Sequence, residues 1–475
     1  MVEAAPWWGL AHLLVSAPVV VHALLYKRDP RAAWGWIGLC MLLPLGGALL
    51  YFLFGINRIQ TRAQRIAPLR LFLHIPYERG TPPEAPLGNR LVPPLPEDQL
   101  PFVRVSQQVA RRPLLAGNQL AMLENGDEAY PAMLAAIEQA RERVFLATYL
   151  FETDATGRRF IDALTAAHRR GVAVRVLIDA VGERYTFPWA SRLLRRAGVP
   201  VARFLPPRLL PPTPYMNLRN HRKLLVVDGH TAFTGGMNIG GRHVLRDNPK
   251  GTRDLQFRVE GPVVGELEDV FREDWRFAAG ERLTPSPRPN AAGTSYARAL
   301  VDGPNEDMDK LLLTLEGTIA AARREVLVVT PYFVPPQTLL CALQSAALRG
   351  VAVHVVLPER SNLRYVDWAT RNLLLEPLAQ GVRVYYQPPP FDHSKLLVID
   401  RTYAHVGSAN WDTRSLRLNF ELNLEVVDPR FAARLAEHVH ALRARSRPVT
   451  LAEIAERPLP QRLRDAACWL FSPYL

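Results

Sequence analysis

The sequence predicts an α/β protein of two similar α/β/α lobes related by pseudo-two-fold symmetry, preceded by an N-terminal transmembrane helical hairpin. Three observations predict it. The stretch Asn220 to Gly240, NHRKLLVVDGHTAFTGGMNIG, recurs as Asp392 to Trp411, DHSKLLVIDRTYAHVGSANW. A strand, helix, strand pattern from Glu142 to Asp179 recurs from Arg324 to Glu359. Two uncharged apolar segments, Trp7 to Tyr26 and Ala32 to Ile56, stand at the front of the chain.

The first of these segments has 20 residues and no Asp, Glu, Lys or Arg, about the length that crosses a bilayer. Lys27, Arg28 and Arg31 follow it, and Trp34, Trp36 and Tyr51 lie near the ends of the second, where aromatic rings favour the lipid interface. A signal peptide fits poorly, because the start lacks a basic region and a second apolar segment follows at once. Residues 1–58 are therefore expected to be two transmembrane helices. Arg58, Arg62, Arg65 and Arg70 then favour a cytoplasmic body behind a multi-pass inner-membrane anchor. Residues 59–112 are dense in proline without helical period, as in IPYERGTPPEAPLG and VPPLPEDQLP, and read as a surface linker.

The globular pattern starts at 113, with a first lobe expected over 113–290 and a second over 291–455. In each, an apolar strand is followed by a helix-like stretch, a glycine (Gly171, Gly350) where a left-handed helix cap is wanted, and a β-branched run, VAVRVLI or VAVHVVL. That order predicts a parallel crossover. A further helix and strand, SRLLRRAGVPVARF and RNLLLEPLAQGVRVYY, lead towards each copy of the motif. Residues 456–475 form an amphipathic segment in which Leu463, Ala466, Ala467, Leu470, Phe471 and Tyr474 fall at helical spacing beside Arg462 and Arg464. A helix packed on the second lobe and one lying in the bilayer interface share that period.

With 475 residues and 48% hydrophobic content the chain can bury a large core and is not disordered. A formal charge of +13 suits an anionic partner, either nucleic acid or a membrane surface. Cys40, Cys341 and Cys468 are odd in number and widely spaced, which indicates free thiols rather than a disulfide framework or a zinc site.

The repeated motif carries the chemistry. Counting from His221 and His393, a lysine follows at +2 (Lys223, Lys395), an Asp at +7 (Asp228, Asp400), a glycine at +14 (Gly235, Gly407) and an Asn at +17 (Asn238, Asn410). The chain has only five lysines, and two occupy the matched slot. Residues i and i+2 of a strand share a face, so each copy presents an imidazole beside an ammonium. The runs Leu-Leu-Val-Val and Leu-Leu-Val-Ile behind them are the signature of strands buried on both faces. Asp228 and Asp400 lie an odd number of residues beyond the histidine and should point the other way, to backbone or arginine at the strand end.

The doubled HxKxxxxD pattern resembles the phospholipase D superfamily, and the resemblance covers most of the chain. It implies one active site built from both lobes, with His221, Lys223, Asp228, His393, Lys395 and Asp400 as the catalytic set. One imidazole would attack phosphorus and the other protonate the leaving alcohol. The lysines and the amides of Asn238 and Asn410, with Ser408 as a weaker candidate, would hold phosphate oxygens in place of a metal ion. The resemblance further implies that an acid beyond each motif orients the histidine, Glu421 at +28 from His393 and Asp254 at +33 from His221. Tyr149, Phe151, Tyr332 and Phe333 could keep water from the intermediate or be ordinary core.

Within the superfamily the chain looks most like the bacterial cardiolipin synthases, by its two apolar segments, the AWGWIG, LPLGG and YFLFG pattern between Arg31 and Gly55, and the C-terminal FSPYL. That family joins two phosphatidylglycerol molecules and releases glycerol. The likeness implies phosphatidylglycerol and anionic membrane lipid as partners, no cofactor and no metal. A lipid-hydrolysing phospholipase D differs only in accepting water, and a tethered nuclease would share every motif residue but has no evident use for a membrane hairpin. Oligomeric state is not indicated by any feature of the sequence.

Overall fold

The computed structural model describes residues 5–27, 30–43, 45–55, 95–110, 112–206, 218–303 and 309–472. These fall into two compact units, residues 5–55 and a body made of the remaining described residues.

In the N-terminal unit, helix Ala5–Tyr26 is followed by helix Pro30–Leu42, helix Gly46–Leu50 and a π-helical turn Tyr51–Gly55. Ala23, Cys40 and Tyr51 make its small core, and His22 Nδ1 lies 2.7 Å from the Tyr51 hydroxyl. Successive helices occupy the two apolar segments expected to cross the bilayer. Among the described residues no helix is both long and apolar enough to cross a membrane. The first has 22 residues and includes His12, Ser16, Pro18 and His22. The second expected span is broken where the helix stops at Leu42 and restarts at Gly46, with Leu45 at φ 63°.

The body is organised by one continuous sheet of 15 strands, and its strand order makes the duplication plain. From the centre outward, the first lobe runs Leu115–Glu124, Leu255–Glu260, Thr231–Gly235, Leu224–Val227, Arg143–Thr148, Ala173–Asp179 and Val201–Phe204. The second runs Ser295–Asp302, Glu421–Val427, Tyr403–Gly407, Leu396–Ile399, Glu325–Val329, Ala352–Pro358 and Arg383–Gln387, with a short edge strand at Arg447–Pro448. The two central strands pair antiparallel through Leu115↔Ala297 and Asn118↔Ser295, which turns two lobes into one sheet. The expected crossovers are present. Arg143–Thr148 pairs parallel with Ala173–Asp179 across helix Ala155–Arg169, and Glu325–Val329 with Ala352–Pro358 across helix Gln337–Leu348. Gly171 (φ 91°) and Gly350 (φ 89°) take the left-handed conformation that ends those helices.

Each lobe has its own apolar core. The second core takes side chains from a stretch expected to be linker, for helix Leu100–Val109 buries Phe102 and Val103 among Leu311, Leu315, Ile319 and Tyr403. Proline density misleads here because Pro101 sits in the first helical turn, where a missing N–H costs nothing. Ser106 Oγ on the same helix donates to buried Glu425 (2.6 Å), which also pairs with Arg298 (2.8 Å). Residues 59–94 of the expected linker lie outside the described residues.

At the other end, helix Leu459–Trp469 packs along helix Arg364–Leu373. The Arg464 guanidinium lies 4.5 Å over the Trp368 ring, and Cys468 covers Val334, Val366 and Ala369. Leu459, Leu463, Leu470 and Phe471 nevertheless stay exposed. Tyr474 lies outside the described residues.

Candidate active site

The motif strands Leu224–Val227 and Leu396–Ile399 are buried at every position, and the segment leading into each is fastened to the opposite lobe. Asn220 bridges Phe420, and His221 N–H donates to the Phe420 carbonyl at 2.9 Å. Phe391–Asp392 pairs parallel with Thr252–Arg253, and His393 N–H donates to the Arg253 carbonyl at 2.8 Å. Each histidine is thus held beside the residue that precedes the other lobe's acid. The side chains follow. His221 Nδ1 meets Glu421 Oε2 at 3.0 Å and His393 Nδ1 meets Asp254 Oδ2 at 2.8 Å. Each expected acid meets a histidine, but it is the histidine of the other lobe.

The two pairs differ by one methylene, and their surroundings differ to match. Ser408 Oγ donates to Glu421 Oε2, and Asn419 Nδ2 to Glu421 Oε1 at 3.1 Å. Opposite the shorter acid stands Gly236, where a Cβ would lie 2.4 Å from Asp254 Oδ1. Burial pushes the Glu421 carboxyl up, but His221, Lys223 and the Ser408 hydroxyl outweigh it and hold Glu421 below its usual range. Asp254 lacks such a hydroxyl, and burial pushes it up to about 6 against the pull of Lys395 and His243. Burial also lowers both imidazoles, His221 against the pull of Glu421, and His393 further because Lys395 and Lys223 add their charge. A neutral imidazole that donates from Nδ1 leaves the Nε2 lone pair free for chemistry.

Both histidines line one cavity of about 330 Å³, with Asn238, Asn410, Tyr149 and Tyr332 in its wall. The Asn238 side-chain oxygen accepts from Leu150 N–H at 3.1 Å, which reserves its amide nitrogen for a ligand. Asn410 donates to Ser415 Oγ at 3.2 Å, and its buried oxygen has no partner among the described residues. Tyr149 stands edge-on to His221 (5.3 Å between centroids) and Tyr332 to His393 (6.3 Å). Phe151 and Phe333, by contrast, are core residues.

Several expected site residues lie elsewhere. Lys223 and Lys395 are buried beneath the histidines and do not form the cavity wall. Each ammonium donates to the carbonyl of its own motif histidine, at 2.7 Å for Lys223. Burial pushes Lys395 down to about 8 and Lys223 well below its ordinary value. Ser408 is buried behind Glu421 and does not face the cavity. Asp228 and Asp400, in the catalytic set by resemblance, sit at the far end of the motif strands. Asp228 accepts from Arg141, Glu142 and Arg143 N–H at 2.8–2.9 Å, and Asp400 from Arg323, Arg324 and Glu325 N–H at the same range. The four-residue strands separate them from the lysines by roughly 15 Å.

A family model described as cardiolipin synthase, PLD-like domain, matches residues 133–275 and 315–443. A second, described as phospholipase D-nuclease N-terminal, matches residues 14–55. The chain is 32% identical over 487 residues to the major cardiolipin synthase ClsA of Bacillus subtilis (strain 168), covering 98% of this chain and 100% of that one. To the cardiolipin synthase of Geobacillus kaustophilus (strain HTA426) it is 31% identical over 477 residues, covering 98% and 94%. The chain belongs to the cardiolipin synthase family. The crystal structure of a phosphatidylserine synthase from Haemophilus influenzae Rd KW20 has the same fold, with a TM-score of 0.59 at 16% identity over 79% of this chain and 100% of that one.

In this member of the cardiolipin synthase family the cavity also holds residues that the motif reading passed over. Arg242 and Arg414 both line it. Each stands at +21 from its histidine, so the matched register runs four residues past the asparagines, and that extension was the available signal. Arg219, Tyr185 and Tyr365 complete the mouth. Nothing in their spacing marks them.

Proposed function

We propose that the protein is a phosphatidyltransferase that joins two phosphatidylglycerol molecules into cardiolipin and releases glycerol through a phosphohistidine. The observation that carries this reading is the pair of imidazoles in one cavity, each oriented by a carboxylate from the opposite lobe. Nε2 of one attacks phosphorus, the bond from phosphorus to the glycerol oxygen breaks, and the other imidazole, protonated, gives its proton to that oxygen. A second phosphatidylglycerol then reverses the roles. Its hydroxyl passes a proton to the now neutral imidazole while its oxygen bonds phosphorus and the bond to histidine breaks. The Asn238 amide and the two buried ammonium groups favour the negative charge that builds on phosphate oxygens.

Membrane residence belongs to the same proposal. Leu13, Leu14, Leu24, Leu25 and Leu42 are exposed on the N-terminal unit, an apolar surface that lipid would cover. We take residues 1–58 as the attachment to the bacterial inner membrane, with the body on the cytoplasmic side. Alkaline carbonate extraction of membranes carrying the full chain should leave it in the pellet.

Activity is tested by giving the purified protein phosphatidylglycerol vesicles and quantifying cardiolipin, glycerol and phosphatidic acid. Equal amounts of cardiolipin and glycerol are expected. Phosphatidic acid as the main product would make it a hydrolase, and inertness towards lipid with cleavage of DNA would make it a nuclease.

A further inference from the structure

The pseudo-two-fold relation makes the ends of the cavity comparable, and they are not equal. Two residues before each histidine stand Arg219 and Phe391, both in the cavity wall. Arg242 is exposed and its guanidinium is engaged by Glu152. Its counterpart Arg414 is half-buried and close enough to Arg219 for that charge, after burial, to lower its pKa. Among the described residues no carboxylate lies within ion-pair distance of Arg219. Asp412 and Asp179, whose charges act with those of Arg414 and Arg219, also accept main-chain amides. Asp412 accepts from Ser415 N–H at 2.6 Å, and Asp179 from Val181, Gly182 and Asn220 N–H at 2.8–3.0 Å. One end of the cavity therefore holds two guanidinium groups against the single carboxylate of Asp412. The other holds Phe391, Tyr332 and Arg242.

We infer that Arg219 and Arg414 hold the intact phosphodiester of the acceptor lipid, so that the site selects a phosphate-bearing alcohol over a neutral one. The inference rests on the phosphatidyl-transfer reading above. In that reaction the donor's only phosphate is at the histidines and its leaving glycerol carries none, so a second anion enters only with the acceptor. A monoanionic phosphodiester in a half-buried cavity needs charge-assisted donors. Guanidinium suits it best, since its planar fork can bind two phosphate oxygens at once. Arg219 precedes His221 by two residues on a bridged, extended segment, about 6–7 Å along the chain. That is the scale of the glycerol unit that separates the phosphates of the product.

The test uses the full-length protein on phosphatidylglycerol vesicles containing 1-butanol, so that lipid and alcohol compete for one phosphohistidine and the donor step cancels from the product ratio. The ratio of cardiolipin to phosphatidylbutanol should fall about tenfold or more in Arg219→Gln and Arg414→Gln, less in Arg414→Lys, and least in Arg242→Gln. A second measurement needs no variant. Offered glycerol and glycerol 3-phosphate at equal concentration, the wild type should prefer the phosphate-bearing acceptor. An unchanged ratio with both products reduced together, a ratio as low in Arg242→Gln as in Arg414→Gln, or equal use of the two soluble acceptors would overturn the inference. A wild type that makes no cardiolipin sinks the transfer reading itself, which is a different result.

Discussion

Glu421 and Asp254 occupy corresponding places across the cavity, and one methylene makes them chemically unequal. Glu421 is held ionised by His221, Lys223 and the Ser408 hydroxyl, whereas burial pushes Asp254 up to about 6 and Lys395 down to about 8. As pH falls through about 6, Asp254 takes a proton and His393 loses its anionic partner. As pH rises through about 8, Lys395 loses its charge. Turnover should therefore follow a bell with limbs near those values, and Asp254→Asn should be slow without an acid limb at that position. A flat profile from pH 5 to 9 would contradict the assignment. The same shift has a stability side. An acid whose folded pKa lies above its unfolded value stabilises fully below the unfolded value and loses that contribution as pH rises through about 6. Asp254→Asn should accordingly melt higher than wild type at pH 8, with the gain vanishing at pH 4.

The crossed pairing gives a second prediction at this scale. Neutralising Glu421 removes a charge that favours imidazolium, so Glu421→Gln should lower the pKa of His221 and leave that of His393 nearly unmoved, read by NMR of the ring carbons. A larger shift at His393 would restore the pairing within one lobe. His221→Ala and His393→Ala should each cost on the order of a thousandfold or more in turnover.

At the scale of the element, each motif is a hairpin whose two ends do different work. The near end sets the histidine against the seam. At the far end Asp228 and Gly229 both have positive φ, 50° and 71°, and the Asp228 carboxylate gathers three main-chain N–H groups at the start of strand Arg143–Thr148. Asp228→Ala leaves those donors without their acceptor, at about 1–3 kcal/mol. It should lower the melting temperature while the folded fraction turns over normally. A large loss of kcat with unchanged stability would return Asp228 to the catalytic set. Much of this was legible in the chain, because strand parity already turned Asp228 and Asp400 away from the histidines, and Gly171 and Gly350 marked helix ends that need a left-handed residue. Helix Leu100–Val109 was not legible, since Pro101 reads as a breaker unless its place in the first turn is known. At the N-terminus the absence of charge marks two apolar segments but not the break in the second, where the helix stops at Leu42 and restarts at Gly46.

For the whole molecule, the duplication could be read from the repeats, but the exchange of acids between lobes could not. Distance along the chain assigns Glu421 to His393, and only the bridges from Asn220 to Phe420 and from Phe391–Asp392 to Thr252–Arg253 reverse it. The same bridges, with the central strand pairing, tie the stability of one lobe to the site of the other. Helix Leu100–Val109, which precedes the first lobe in the chain, fills the core of the second, so neither lobe is a separable segment. Removing the Phe102 ring should cost about 3 kcal/mol in the second core. If the body unfolds as one unit, Phe102→Ala will speed hydrogen exchange equally at Leu224–Val227 in the first lobe and Leu396–Ile399 in the second, because both amide sets exchange through the same global opening. Faster exchange in the second strand alone would mean that the lobes open independently. In that case the carboxylate of Glu421 would leave His221 each time the second lobe opened, and activity would be lost well below the melting temperature of the first lobe.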